Sequence, residues 1–232
     1  MGEITSYELR DGVALITMDD GKANALSHAM LAELNAALDR AENEASAVVL
    51  RGRPGKFCAG FDLRTMMAGI DSARELLRVG ADLYLRLYSF PLPVVAACNG
   101  HAMAGGALLL LVSDTRIGAE GDFKIGLNEV AISMTLPVLA LELARDRIAK
   151  KHLTEAVVQA RIYSPDGATE AGYLDSLSSV DALAGEAFEH AKALAKLPAQ
   201  AYAQTKAKLR AATIRHIRTT FDDDMQSMIS VG

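Results

Sequence analysis

Two glycine-bearing turns and one isolated carboxylate are the parts of this chain equipped for chemistry. The first turn is Phe57-Cys58-Ala59-Gly60-Phe61-Asp62-Leu63, where a strand region hands over to a helix. The second is Asn99-Gly100-His101-Ala102-Met103-Ala104-Gly105-Gly106-Ala107, which runs into the apolar stretch Leu108 to Val112. A glycine pair at the head of an apolar helix leaves backbone N–H groups unobstructed, with the positive end of the helix dipole behind them. Such donors suit an oxygen on which negative charge develops during a reaction. Each turn also has a plainer reading. Gly60 would serve a tight turn through its backbone freedom, and the Gly105-Gly106 pair would let a helix pack closely on a strand. The functional reading presents the Ala59 N–H as one donor and the Ala104-Gly105-Gly106 turn as the source of another. Two converging donors are the usual minimum for an oxyanion hole. The residues alone leave both readings open.

The carboxylate is Glu129, at the end of Ile125-Gly126-Leu127-Asn128-Glu129 and just before Val130, Ala131 and Ile132. Apolar neighbours on both sides argue against a solvated position. A carboxylate in apolar surroundings has a raised pKa and can work as a proton shuttle. Asn128 could orient a substrate carbonyl or hold a turn. His101, beside the second glycine turn, is a packed residue or a second acid/base.

Other chemistries fit poorly. Gly52-Arg53-Pro54-Gly55-Lys56-Phe57 mimics the tail of a phosphate loop but lacks the upstream glycine spacing and the Ser/Thr after Lys. Gly100 to Gly106 does not spell a dinucleotide fingerprint. The five histidines show no metal-ligand spacing. No serine sits in a nucleophile elbow, and Cys58 has no evident base.

Alternating elements must position these groups. Tyr7 to Arg10 and Val13 to Met18 read as strands around the turn Asp11-Gly12. Ser27 reads as the N-cap of a helix to about Asn43, with Met30, Leu31, Leu34 and Leu38 at helical spacing. Ala47 to Arg51 and Val94 to Cys98 read as buried strands, and Thr115 to Ala119 as a further strand after the Gly105 helix. A helix capped by Asp62 runs, interrupted at Gly69-Ile70-Asp71, to about Tyr88. From Leu136 the spacing is helical, and Asp222-Asp223-Asp224 reads as a solvated helix segment. The expectation is an α/β fold with parallel strands, divided into a core over 1–135 and a helical region over 136–232.

The composition narrows the class. Half of the 232 residues are apolar and 23% are charged, as in globular domains. A net charge of −5 argues against nucleic acid as the main partner. Two cysteines, Cys58 and Cys98, give neither a disulfide framework nor a zinc site, which favours a reducing compartment. The first residues lack a signal pattern, and Leu108 to Val112 is too short to span a bilayer. A cytoplasmic location, no membrane insertion and no metal are expected.

Together, Lys22-Ala23-Asn24-Ala25-Leu26, Phe57 to Leu63, Asn99 to Gly106, Asp114 and Glu170-Ala171-Gly172-Tyr173-Leu174-Asp175 resemble the crotonase (enoyl-CoA hydratase/isomerase) superfamily. The resemblance covers nearly the whole chain. It implies a ββα spiral core with a C-terminal helical trimerisation region, assembled as a homotrimer or hexamer. It also implies an acyl-CoA substrate, with coenzyme A part of that substrate and no separate cofactor. The thioester oxygen would lie between the N–H groups of Ala59 and Gly105. Gly60, Phe61 and Asp62 would line the CoA and acyl site, with Arg64 approaching the CoA phosphates.

Two acidic positions distinguish activities within the family. Hydratases of the best-known kind use two glutamates, one just after the glycine-rich segment and one in the later loop. Here the first is Leu108, which can neither hold nor activate water, and the second is Glu129. Ile125 to Glu129 resembles the Δ3,Δ2-enoyl-CoA isomerases, which work with this one glutamate. The second acid of dienoyl-CoA isomerases is replaced by Pro137. The expectation is isomerisation of 3-enoyl-CoA to trans-2-enoyl-CoA. An atypical hydratase or hydrolase, using His101 or Glu129 alone, and a weakly catalytic acyl-CoA-binding protein are the alternatives. Ser133 stands where a glycine is common, and the chain's end implies a short or missing final helix.

Overall fold

A hairpin opens the chain, with β1 (Thr5–Arg10) and β2 (Val13–Met18) paired antiparallel about Asp11 and Gly12. Both turn residues have positive φ, 47° and 77°, as a two-residue turn between right-twisted strands requires. The structure is a computed structural model and describes residues 3–229. Helix α1 (His28–Glu44) begins where the Ser27 hydroxyl accepts from the Met30 N–H at 3.2 Å. It buries Met30, Leu31, Leu34 and Leu38 along one stripe.

Next, strand–strand–helix units repeat. β3 (Ala47–Arg51) and β4 (Gly55–Cys58) lead to α2 (Leu63–Met66) and α3 (Ile70–Tyr88). β5 (Val94–Cys98) and β6 (Gly100–Met103) lead to α4 (Gly105–Val112). β7 (Thr115–Ala119) and β8 (Ile125–Gly126) lead to a single 3-10 turn, Val130–Ile132. The first strand of each unit joins a six-stranded sheet, ordered β1-β2-β3-β5-β7 and then β9 (Ser176–Ser178), in which all pairs after the hairpin are parallel. The second strand joins a parallel sheet of its own, β4-β6-β8. This is the ββα spiral.

The long sheet is buried on both faces, and the period of two sorts its residues. Ala14, Ile16, Val48, Leu50, Val94 and Ala96 belong to the main core shared with α1, α3 and α4. Val13, Leu15, Ala47, Val49, Val95 and Ala97 face a second core closed by Leu183, Ala187, Phe188 and Ala191.

Residues after 136 form α5 (Val138–Arg147), α6 (Leu153–Val157), α7 (Pro165–Ala171), β9 (Ser176–Ser178), α8 (Leu183–Leu194) and α9 (Ala199–Ile229). Two expectations need correction here. The final helix is neither short nor missing, since α9 runs for 31 residues. The aspartate run is also not simply solvated. Asp224 accepts from the Val138 N–H at 2.7 Å, capping α5, and Asp222 pairs with Arg78 at 2.8 Å. A buried ion cluster holds α9 to the core. The Asp114 carboxylate accepts from the Val94 N–H at 2.8 Å and meets Lys206 at 2.6 Å and Arg210 at 2.9 Å.

Candidate active site

The two glycine turns meet. Segment Ala23 to Leu26 runs beside residues 59–62, with Leu26 N–H donating to Gly60 O at 2.8 Å and Asp62 N–H to Leu26 O at 3.2 Å. The Asn24 amide pins this segment to β4, donating to the carbonyls of Lys56 and Phe57. The same ladder corrects one expectation. The Ala59 N–H donates to the Ala23 carbonyl at 3.1 Å and so is not a free donor. Phe61, two residues on, has an N–H with no acceptor among the described residues.

Across from it stands Gly105, whose N–H likewise has no acceptor among the described residues. Gly60 makes the approach possible, because a Cβ there would lie 3.1 Å from Gly105 N and 2.9 Å from Ala104 Cβ. Its φ of +93° also disfavours any side chain. Ala104 adopts φ 51°, ψ −123°, a strained conformation that aims the next peptide. Its own N–H is tied to the Gly126 carbonyl at 2.9 Å. Phe61 N–H and Gly105 N–H are thus free among the described residues, and Gly105 heads α4, a helix buried along its whole length.

The Ala104–Gly126 bond also fixes the segment carrying Glu129, three residues further on. Glu129 is only 9% exposed, and its Oε2 is buried with no hydrogen-bond partner. Burial pushes its pKa up, opposed by the backbone N–H groups of Glu129 and Asn128. Glu129 is buried as its apolar chain neighbours suggest, but those neighbours are not what buries it. Val130 and Ile132 are themselves 45% and 49% exposed, so the apolar surroundings come from elsewhere in the fold. The Glu129 carbonyl accepts from Ile132 at 3.0 Å and Met134 at 2.9 Å. Ser133 closes that turn with φ 62°, the left-handed conformation a glycine would adopt there.

Leu108, one turn into α4, is 3% exposed. Asp62 caps α2, accepting from the Thr65 N–H at 3.0 Å and its hydroxyl at 2.6 Å. Arg64 projects from α2 and is exposed. Asn128 is half-buried with its Oδ1 unpartnered. His101 accepts from the Lys124 N–H through Nδ1 at 2.9 Å and packs edge-on against Phe123, so one ring nitrogen is already committed. Cys58 and Cys98 are free, buried thiols pushed up to about 12 by burial, unsuited to nucleophilic work.

Tyr84 was not foreseen. Its fully buried hydroxyl donates to the Gly105 carbonyl at 2.8 Å. In the sequence it is one apolar position on a helical stripe, with nothing to separate it from Leu83 or Leu87.

A ββα spiral with paired backbone donors at a helix head and one buried carboxylate defines the crotonase class. Residues 8–231 match the enoyl-CoA hydratase/isomerase family, and the chain belongs to that family. It is 31% identical over 225 residues to human mitochondrial enoyl-CoA delta isomerase 1, covering 94% of this chain and 74% of that protein. It is 32% identical over 201 residues to a probable enoyl-CoA hydratase of Bacillus subtilis, covering 85% and 76%. The crystal structure of an enoyl-CoA hydratase/isomerase family protein from Pseudomonas syringae superposes with a TM-score of 0.95 at 42% identity, covering 97% of this chain and 98% of that one.

Proposed function

We propose that this enzyme isomerises 3-enoyl-CoA to trans-2-enoyl-CoA, with Glu129 as the single proton shuttle. The thioester oxygen sits between the N–H groups of Phe61 and Gly105. Glu129 takes a proton from C2, the electron pair delocalises into a dienolate, and the new O⁻ is held by the two donors. The carboxylic acid then returns the proton at C4, leaving the double bond between C2 and C3. No atom is gained or lost.

Leu108 is the observation that carries this reading. Hydration needs a group that holds and activates water opposite the carboxylate, and a buried leucine offers neither a donor nor an acceptor. An apolar wall also protects the dienolate from adventitious solvent. The raised pKa of Glu129 suits a group that must both take and return a proton. The similarity to a protein named an isomerase supports the assignment, while the hydratase names among its relatives leave water addition as the competing outcome. Arg64 and Asn128 are assigned to the CoA and acyl contacts in the same reading, and a trimer or hexamer belongs with it.

Glu129→Gln tests the shuttle. It is expected to lower kcat by at least about a thousandfold while acyl-CoA affinity stays within about threefold. Turnover within about tenfold of the original would sink the single-base mechanism.

A further inference from the structure

The two free N–H groups share one support. Gly80 and Tyr84 lie one turn apart on α3, so they occupy the same face of that helix. The Tyr84 hydroxyl donates to the Gly105 carbonyl at 2.8 Å. Its ring meets the Phe61 ring edge-to-face, with centroids 6.1 Å apart and planes at 82°. The Phe61 ring in turn rests on the bare backbone of Gly80, where a Cβ would fall 2.3 Å from Phe61 Cε1. One helix face thereby grips the side chain of one donor residue and the carbonyl of the other.

We propose that Tyr84 is a positioning residue for the reaction, setting the separation and direction of the Phe61 and Gly105 N–H groups. The proposal rests on reading those groups as the oxyanion donors. Tyr84 is 1% exposed, so the hydroxyl has no solvent to fall back on. Bonded to a carbonyl, it must donate. Burial and then the charges of Cys58 and Glu129 hold it well above the ordinary tyrosine pKa, which keeps that proton in place. The spacing is tight as well, because a Cβ on Gly105 would stand 2.6 Å from the hydroxyl. Without the hydroxyl, the Gly105 carbonyl keeps only its bond within α4, and the first residue of that helix loses its tie to α3. Donors that stabilise developing charge lose their value quickly when displaced.

The test uses a saturated acyl-CoA carrying a 13C thioester carbonyl, which binds but cannot isomerise. Infrared difference spectra of the bound ester report how strongly the donors polarise it. The wild-type protein is expected to shift the carbonyl to lower frequency. Failure to do so would remove the oxyanion reading itself, together with the proposal that rests on it. Given that shift, Tyr84→Phe is expected to lose most of it and to lower kcat by about tenfold or more, with KM within about twofold. Leu87→Ala, a cavity elsewhere in the core, is expected to lower thermal stability and leave the carbonyl shift intact. Gly80→Ala favours the helix yet displaces the Phe61 ring, so it provides the same readout if Tyr84→Phe does not fold. A wild-type carbonyl shift and kcat in Tyr84→Phe, or in Gly80→Ala where that variant decides, would overturn the positioning role.

Discussion

Glu129, the proposed base, is buried at a cost to the fold. Its pKa is raised by burial, so folding favours the neutral acid over the carboxylate. The sign follows from linkage. A carboxyl with a folded pKa above its unfolded value contributes stability at low pH and loses it as pH rises through the folded value. Above that point the wild type holds an ionised, partly unsatisfied carboxylate that glutamine would replace with a neutral amide. Glu129→Gln should therefore melt at a higher temperature than wild type near pH 7, with the difference shrinking below the ordinary carboxylate range. A melting temperature lower at pH 7 than at pH 4, relative to wild type, would contradict the burial argument. Activity carries the same titration with the opposite preference. The base must be ionised, so kcat/KM should fall as pH drops through a midpoint above the ordinary glutamate value. At this scale the sequence pointed to Glu129 as a buried carboxylate and to the Gly105 turn as a source of a free N–H; the structure has both, but what buries Glu129 is not its chain neighbours. The sequence misplaced the second donor, since only the ladder between 23–26 and 59–62 shows that the Ala59 N–H is taken.

At the scale of elements, the consequential one is α9. Lys206 and Arg210 enter the core as cations, and Asp114 is the carboxylate that meets both. Asp114→Ala would leave two buried positive charges without their partner and free the Val94 N–H. The expected loss is about 3–5 kcal/mol, read as a fall in the denaturation midpoint. Hydrogen exchange should show α9 losing protection before the strands do. Uniform loss of protection across the chain would mean that Asp114 holds the sheet rather than the helix. Strongly patterned elements were legible: β3 and β5 stand where apolar runs of strand length predicted them, and β7 where a further strand was expected after the Gly105 helix. The second sheet was not. β4, β6 and β8 have two to four residues each and carry glycines, too short for a period to show. α9 was obscured for another reason. Nothing near Lys206 and Arg210 in the chain marks them as internal, and their partner Asp114 is far away in sequence.

Across the whole molecule, the groups proposed for catalysis lie in one stretch of chain that depends on later elements for its support. Phe61, Gly105 and Glu129 all precede residue 135, but β9 completes the long sheet and α8 closes its second face. A fragment of residues 1–135 would expose the apolar face that includes Val13, Val49 and Val95. It should therefore lack cooperative unfolding by circular dichroism and calorimetry; a sharp, reversible transition would show that the spiral stands alone. The central claim concerns the chemistry, and the most direct measurement follows products by mass. The protein would be incubated with 3-enoyl-CoA and 2-enoyl-CoA esters of several chain lengths in water enriched in heavy oxygen. The account predicts conversion of the 3-enoyl ester to its trans-2-enoyl isomer at unchanged mass, with no heavy oxygen in any product. Rapid addition of labelled water to the 2-enoyl ester, without isomerisation, would contradict it and show that the site activates water despite Leu108.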